Sequence, residues 1–295
     1  MAISASKVKE LRERTGAGMM ECKKALVETD GDMDSAIELL RKSGQAKADK
    51  KSGRVAADGR VVITTDGSKA AMLEINSETD FVAKDENFIG YAEAVAACVL
   101  AGDAADVQAL AAESLTDGRT VEAARTELIT KVGENISVRR FVRIDAADHL
   151  GSYTHGARIG AVVSLQGGDA ALARDIAMHV AATNPVCVAE DGVPAETLER
   201  ERRIFAEQAA ESGKPPEIIE KMVTGRVAKY LKEITLVGQP FVKDPDVTVG
   251  KLLLGAGAEV AGFVRYEVGE GIEKKEENFA EEVAKQIEES KQKTG

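Results

Sequence analysis

An internal duplication constrains the fold of this 295-residue chain more than any single motif does. Each copy contains a predicted strand that leads into a helix, and each ends in a strand with Phe-Val-Arg at its centre. The closing strands are residues 137–144 and residues 261–268. We therefore predict an α+β fold with two related subdomains, each a small antiparallel sheet covered by helices. Subdomain N spans residues 59–147, and subdomain C spans residues 148–193 and 238–270.

The two copies differ where the long strand passes into its helix. In subdomain C, residues 166–169 form a plain turn, whereas subdomain N carries the additional residues 79–85. An aromatic residue such as Phe81 usually packs into a core. However, the fold does not require a stretch that its second copy lacks, and loops between rigid elements often carry binding residues. We therefore predict that Phe81 projects as an apolar wedge within a binding motif. The additional residues begin with Thr79, Asp80, Phe81 and Val82.

Residues 1–45 are predicted to form three short helices that pack into a small bundle, which resembles the ubiquitin-associated domain. Glycine-containing turns separate the helices, and the third is predicted to end at Ser43-Gly44. Bundles of this kind usually bind protein partners. Met19 and Met20 follow the first glycine loop, where flexible thioethers suit an adaptable contact surface. Alternatively, either methionine fills the small core of the bundle.

Three further segments accompany the duplicated subdomains. Residues 46–58 are rich in Lys, Ala and Gly without apolar periodicity, which is typical of a linker or a weak helical extension. Residues 194–237 are predicted to form an inserted antiparallel helical hairpin, with an apolar stripe wider than that of a strict coiled coil. If the hairpin projects, it is a candidate surface for homodimerisation or docking. Residues 271–295 are predicted to form a C-terminal helical module, amphipathic from Lys274 onward.

Composition excludes several classes of protein. The net charge of −11 disfavours direct binding to nucleic acid, which requires an excess of Lys and Arg. No apolar run approaches the roughly 18 residues of a membrane span, and the start of the chain lacks the apolar core of a signal peptide. The three Cys are far apart and form neither a disulfide framework nor a zinc pattern. We expect a cytoplasmic protein without a membrane contact.

No catalytic constellation is present in the sequence. The three His lack the spacing of a zinc protease site. The glycine-rich residues 255–262 lead into a strand, whereas a phosphate-binding loop leads out of a strand into a helix. We therefore expect a protein that is not an enzyme and that requires neither a cofactor nor a metal.

Six separated motifs resemble those of the bacterial elongation factor Ts family, in the family's order and along the whole chain. These motifs are residues 9–26, 79–83, 133–136, 155–160, 238–241 and 269–272. One departure lies beside the second motif, where Ser77-Glu78 replace the Cys and Gln of some members.

The resemblance implies a guanine-nucleotide exchange factor for elongation factor Tu, the GTPase of translation elongation. In the family, the Asp and Phe of the second motif enter the GTPase near its nucleotide and magnesium, which carries over to Asp80 and Phe81. The resemblance implies that residues Thr79 to Val82 insert there, dislodge magnesium and promote GDP release. The other partner contacts that carry over are Arg12, Met19, Met20, Lys23 and His155.

Two alternatives stay open at this point. Asp80 either acts on the surroundings of the metal or only caps the following turn. As a function of another class, the chain would be a non-catalytic adaptor or chaperone-like interaction module that binds through its bundle and hairpin. Such a module would bind its partner without changing the rate of nucleotide release.

Overall fold

The computed structural model describes residues 3–273 of the chain. The helices in this part are α1 (Ala5–Thr15), α2 (Met19–Glu28), α3 (Met33–Lys51), α4 (Glu86–Ala101), α5 (Val107–Ala112), α6 (Val121–Val132), α7 (Ala170–Thr183), α8 (Ala195–Ala210), α9 (Pro216–Ile234) and α10 (Val249–Gly255). The strands are β1 (Asp58–Thr65), β2 (Lys69–Ser77), β3 (Ser137–Asp145), β4 (His149–His155), β5 (Ile159–Gln166), β6 (Pro240–Phe241), β7 (Asp244–Thr248) and β8 (Glu259–Glu267). The predicted helix from Lys274 onward lies outside the described residues.

Two three-stranded antiparallel sheets form the centre of the molecule, so the predicted α+β class is confirmed. The first sheet has the order β1-β2-β3 and the second has the order β4-β5-β8. Helix α4 packs on the first sheet, and helix α7 packs on the second. The opposite faces of the two sheets meet in an apolar layer. The buried members of this layer are Val61, Ala70, Met72, Val162 and Val268.

The two sheets share their strand register as well as their strand order. In the first sheet the pairing shifts between Glu74 and Ile75, and in the second it shifts between Ser164 and Leu165. In both sheets the Phe-Val-Arg residues of the closing strand lie at equivalent positions on the central strand. The arginines of this motif also act alike, because Arg143 donates a hydrogen bond to the carbonyl of Val99 and Arg265 donates one to the carbonyl of Ala181. These carbonyls belong to the last turns of α4 and α7, where acceptors lack intrahelical partners.

The N-terminal bundle packs on the rest of the chain through α3 and α6. The predicted end of the third helix at Ser43-Gly44 is wrong, because α3 continues to Lys51. A glycine in this context often ends a helix. Here Gly44 is buried against α6, where a Cβ atom would lie only 3.1 Å from the hydroxyl oxygen of Thr130. The glycine therefore permits close packing within the helix, and the first part of the predicted linker 46–58 is the helical extension.

Among the described residues, four elements have no counterpart in the sequence predictions: α5, the edge strand β4, and strands β6 and β7, which form a short hairpin. Strand β4 forms the outer edge of its sheet, and most of its residues are partly or fully exposed. Its sequence therefore lacks the alternation of apolar and polar residues that predicts a strand.

Helices α8 and α9 pack against each other as an antiparallel hairpin. Phe205 and Tyr230 meet edge to face across it, with ring centroids 6.2 Å apart. Backbone hydrogen bonds hold its base, from Val186 to Ile234 and from Leu236 to Cys187.

Candidate partner-binding site

The stretch that distinguishes subdomain N forms a compact turn between β2 and α4, which we name the 79–84 turn. Its backbone closes on itself through hydrogen bonds from Ala83 to Thr79 and from Lys84 to Phe81, at 3.3 and 3.1 Å. Residues Val82–Lys84 form a short 3-10 helix. Asp85 then caps α4, accepting hydrogen bonds from the backbone amides of the second and third helical residues. In subdomain C the same capping role belongs to Asp169 at the start of α7, so the additional length of the junction is confined to residues 79–84.

The turn divides its side chains between the core and the solvent. Ala83 is buried and Val82 is partly buried, and both pack on the core beneath α4. Arg60 of β1 donates a hydrogen bond to the carbonyl of Ala83 at 3.1 Å, which ties the turn to the sheet. Phe81 points away from the core and is 81% exposed. The expected wedge is therefore present as an exposed aromatic ring on an anchored turn.

This exposure has an energetic consequence for a binding partner. Burying a Phe side chain is worth about 1.5–3 kcal/mol. Phe81 leaves most of that free energy unused within its own chain, so it is available on association with another surface.

Asp80 and Lys84 form an exposed ion pair across the turn, with 2.6 Å between Oδ2 and Nζ. The hydrogen bond from Lys84 holds the pKa of the Asp80 carboxyl below its ordinary value, and the Arg158 guanidinium of subdomain C also lowers it. Asp80 does not cap the following helix, because Asp85 does. At neutral pH the turn thus presents a carboxylate beside an exposed aromatic ring.

The turn that contains His155 lies next to the same end of the first sheet. Ala157 accepts a hydrogen bond from the backbone amide of Val61 at 2.8 Å, and Arg158 pairs with Asp58 at 3.0 Å. Asp58 lies opposite Ser77, the last residue of β2 before the 79–84 turn. His155 itself is exposed, and its Nδ1 atom lies 3.4 Å from the Tyr153 hydroxyl. Both predicted contact regions of the two subdomains therefore lie at neighbouring positions.

The candidate residues of the N-terminal bundle are all exposed. Met19 is 47% exposed and Met20 is 74% exposed, so neither fills the bundle core. That core is built instead from residues such as Leu11 and Leu26. Arg12 is also exposed on α1.

Helix α2 presents one continuous outer face beside these residues. Met20, Lys23 and Val27 are exposed at positions i, i+3 and i+7, which share one face of a helix. The end of α1 borders an open cleft whose other side includes Glu86 and Asn87, the first residues of α4. Because α4 directly follows the 79–84 turn, the bundle and the turn border the same part of subdomain N.

Comparison with known proteins shows the family of this chain. A family model described as elongation factor TS matches residues 78–270, which begin at the 79–84 turn and include the His155 region and the hairpin. The chain belongs to the elongation factor Ts family.

Relatives of near-identical length carry the same family name. The chain is 69% identical over 290 residues to elongation factor Ts of Thioalkalivibrio sulfidiphilus, covering 97% of this chain and 99% of the relative. It is 63% identical to elongation factor Ts of Alkalilimnicola ehrlichii and 60% identical to that of Methylococcus capsulatus, with the same coverage in both cases. These matches include the N-terminal bundle, which precedes the segment covered by the family model.

In this member of the elongation factor Ts family, two residues that hold the turn in place were not predicted from the sequence. Glu134 and Asn135, in the loop after α6, hydrogen-bond to Glu78 and Thr79. Their motif is visible in the sequence as part of the family resemblance. Its contact with a turn more than 50 positions away is not.

Within residues 3–273, no group of three or more His, Cys, Asp or Glu side chains is placed to hold a metal ion. No helix in that range is both long and apolar enough to span a bilayer.

Proposed function

We propose that this chain is a guanine-nucleotide exchange factor that binds elongation factor Tu in its GDP form and accelerates the release of GDP. Family membership supports the choice of partner. The observation that carries the proposal is the exposure of Phe81 on a turn anchored to the core by its neighbours.

The mechanism follows from the properties of magnesium in the partner. Mg²⁺ requires near-ideal octahedral geometry and keeps water among its ligands. When Phe81 inserts beside that site, a small shift of the surrounding elements is enough to dislodge the ion without any competition for the nucleotide pocket. GDP then leaves faster, because the charge of its phosphates is no longer neutralised. Thr79 and Val82 shape the turn, and Asp80 adds a negative charge close to the metal.

Coupling between the two bound molecules is reciprocal. If the factor weakens nucleotide binding, bound nucleotide must weaken the factor by the same free energy. GTP can therefore displace the factor at the end of the cycle. No step makes or breaks a covalent bond, so the proposed role is not enzymatic and uses no cofactor.

The remaining candidate residues form the outer part of the same proposed interface. Arg12, Met19, Met20 and Lys23 extend it over the N-terminal bundle, and His155 extends it over subdomain C. We propose that the contacts are made with protein alone, in the cytoplasm, since the net charge of −11 disfavours nucleic acid. The hairpin of α8 and α9, with exposed Ile204 and Ile218, is the proposed surface for self-association, which analytical ultracentrifugation tests.

Stopped-flow release of fluorescent GDP from elongation factor Tu tests the function directly. We expect a saturable increase in the release rate with the wild-type chain and a large loss with Phe81→Ala. An adaptor of the second functional class would bind elongation factor Tu and leave the rate unchanged. An unchanged rate at saturating protein would therefore refute the proposal.

A further inference from the structure

The carboxylate of Glu134 makes three hydrogen bonds to the start of the 79–84 turn and its flank. Its Oε2 atom accepts from the backbone amides of Glu78 and Thr79, at 3.1 and 3.0 Å. Its Oε1 atom accepts from the Thr79 hydroxyl at 2.6 Å. Hydrogen bonds to an ionised acceptor are about twice as strong as neutral ones. One side chain thus fixes both the backbone and the side chain of Thr79.

The contact between the two loops is reciprocal. Glu78 Oε1 accepts a hydrogen bond from the backbone amide of Asn135 at 2.6 Å. Asn135 in turn donates through its side-chain amide to the carbonyls of Ser52 and Arg54. The loop after α6 is therefore held on one side by the chain beyond α3 and holds the turn on the other.

The duplicated subdomain shows which part of this arrangement the fold itself requires. Ser137 pairs with Asn76 in the first sheet, and Glu259 pairs with Gln166 in the second. Counting back three residues from each closing strand places Ala256 at the position of Glu134.

The following position differs in the same way, with Gly257 in place of Asn135. In subdomain C the two loops meet backbone to backbone, so closely that a Cβ atom on Gly167 would lie 2.4 Å from the carbonyl oxygen of Gly257. A plain junction therefore closes without any bridging side chain. The carboxylate occurs only in the copy that carries the 79–84 turn.

We propose that Glu134 is a positioning residue for nucleotide exchange, which holds Thr79 so that Phe81 projects in one fixed orientation. This inference rests on the proposed exchange function. It assigns control of the orientation of Phe81 to a residue outside the 79–84 turn. Thr79 transmits the constraint, because its carbonyl accepts from Ala83 and its hydroxyl accepts from Val82 at 3.4 Å. Fixing the turn before binding avoids the entropy loss of ordering it in the complex.

The first experiment compares variants of Glu134 in the GDP-release assay. For Glu134→Ala we expect a fall of about tenfold in the maximal rate, which corresponds to the loss of roughly one charge-assisted hydrogen bond. The concentration at half-maximal rate should change little, since the bundle and the His155 region are intact. Glu134→Gln should retain most of the rate, because its amide oxygen can accept both backbone amides and its NH₂ can donate to Thr79. Glu134→Asp should lose rate, because the shorter side chain cannot reach all three donors.

Glu113→Ala is the matched control. Glu113 is exposed, belongs to the same subdomain and follows α5, beside Cys98 at the opposite end of α4 from the turn. We expect a wild-type rate for this variant. A comparable loss would show that the effect is not specific to Glu134, and would overturn the assignment.

A double-mutant cycle tests whether Glu134 acts through Phe81. In the Phe81→Ala background, Glu134→Ala should cause no further loss of rate. Independent losses that multiply would overturn the proposal. If Phe81→Ala itself leaves the rate unchanged, the exchange function fails, whereas a loss with Phe81→Ala but none with Glu134→Ala and Glu134→Asp refutes only the positioning role.

Hydrogen exchange in the free protein provides a readout that needs no partner. Glu134→Ala should speed exchange of the Glu78 and Thr79 amide protons by about tenfold or more, because each loses its acceptor. The Leu73 amide, in the centre of the first sheet, should keep its protection. Uniform loss of protection would indicate general destabilisation and count against a local positioning role. If the alanine variant is poorly folded, the same exchange measurement on Glu134→Asp decides whether the positioning is local.

Discussion

The two subdomains join the same sheet to the same helix in different ways. Both use an aspartate to cap the helix, Asp85 in one and Asp169 in the other. In subdomain C two glycines suffice to reach that cap. In subdomain N the chain makes an additional turn that presents Phe81 to solvent. A hydrogen bond from the Thr79 amide to Glu134 holds this turn against the loop after α6. The comparison separates what the fold requires from what was added to it, within one chain.

The largest expected effect comes from making the two junctions alike. Replacing residues 77–84 by Gly-Gly gives subdomain N the connection Asn76-Gly-Gly-Asp85, which matches Gln166 to Asp169 of subdomain C. We expect complete loss of exchange in the GDP-release assay. The free energy of unfolding should fall by only about 2 kcal/mol, since Val82 and Ala83 leave the core. Exchange activity that survives this replacement would show that the additional turn of subdomain N is not required for exchange.

The second effect concerns the equivalent positions Glu74 and Ser164, beside the register shift of each central strand. Glu74 is fully buried and pairs with Arg139 and Arg140, at 3.0 and 2.6 Å. Removing the charge from one side of such a pair typically costs about 3 kcal/mol. We therefore expect Glu74→Gln to lower the free energy of unfolding by roughly that amount in urea denaturation, while Ser164→Ala has a smaller effect.

The pH dependence of Glu74 has a defined sign. Burial raises the pKa of its carboxyl, but hydrogen bonds from the backbone of Gly269 and from Arg139 and Arg140 outweigh burial and bring the pKa below its ordinary value. A lowered pKa in the folded state stabilises the protein above the unfolded pKa and ceases to do so as pH falls through the folded pKa. Stability should therefore decline on acidification below the ordinary glutamate range. Glu74→Gln should show a shallower decline.

The third effect contrasts two phenylalanines seven positions apart. Phe81 is exposed, whereas Phe88, in the first turn of α4, is fully buried. Phe81→Ala should lower the maximal exchange rate by about 10- to 100-fold, the equivalent of about 1.5–3 kcal/mol of lost burial in the complex. Its free energy of unfolding should stay within about 0.5 kcal/mol of wild type.

Phe88→Ala provides the opposite pattern. It should destabilise the fold by about 3–5 kcal/mol, because it leaves a cavity in the core. A stability loss of that size with Phe81→Ala would show that the exposed ring serves its own fold.

The smallest effect is expected at Asp80. Asp80→Ala removes only an exposed ion pair with Lys84, because the cap of α4 is Asp85. The thermal unfolding midpoint should therefore be unchanged. If the carboxylate acts on the surroundings of the metal, exchange should fall, though by a smaller factor than with Phe81→Ala. Lys84→Ala, which keeps the carboxylate and breaks the same pair, distinguishes the charge from the ion pair.

Local patterns in the sequence were sufficient for most of the secondary structure. The helices α4, α6, α7, α8 and α9 bury one face against the core and carry apolar residues at helical spacing. The central strands β2 and β5 are buried on both faces and were recognisable as short apolar runs. Edge strand β4 escaped prediction since it is only half covered. The helix end placed at Ser43-Gly44 was wrong since a glycine inside a helix and one after it have the same local signature.

Some residues of the candidate site were likewise predictable from the sequence, and others were not. The missing counterpart in subdomain C was enough to predict from the sequence that Phe81 is exposed, and the structure agrees. For Met19 and Met20 the sequence left two alternatives, and only the packed bundle shows that both side chains face outward. The choice depended on which other residues fill the core, and periodicity within ten residues cannot express that.

What the sequence alone determined is the duplication, the position of the added turn and the family to which its motifs belong. These are properties of the order of residues along one chain. Only the tertiary structure decided how the turn is held, because Glu134 and Thr79 are 55 positions apart in the sequence. That subdomain C has Ala256 in place of this glutamate is visible only when the strands of the two sheets are aligned by their register. A hydrogen bond between distant loops depends on the packing of every element that brings them together, and no local pattern records that packing.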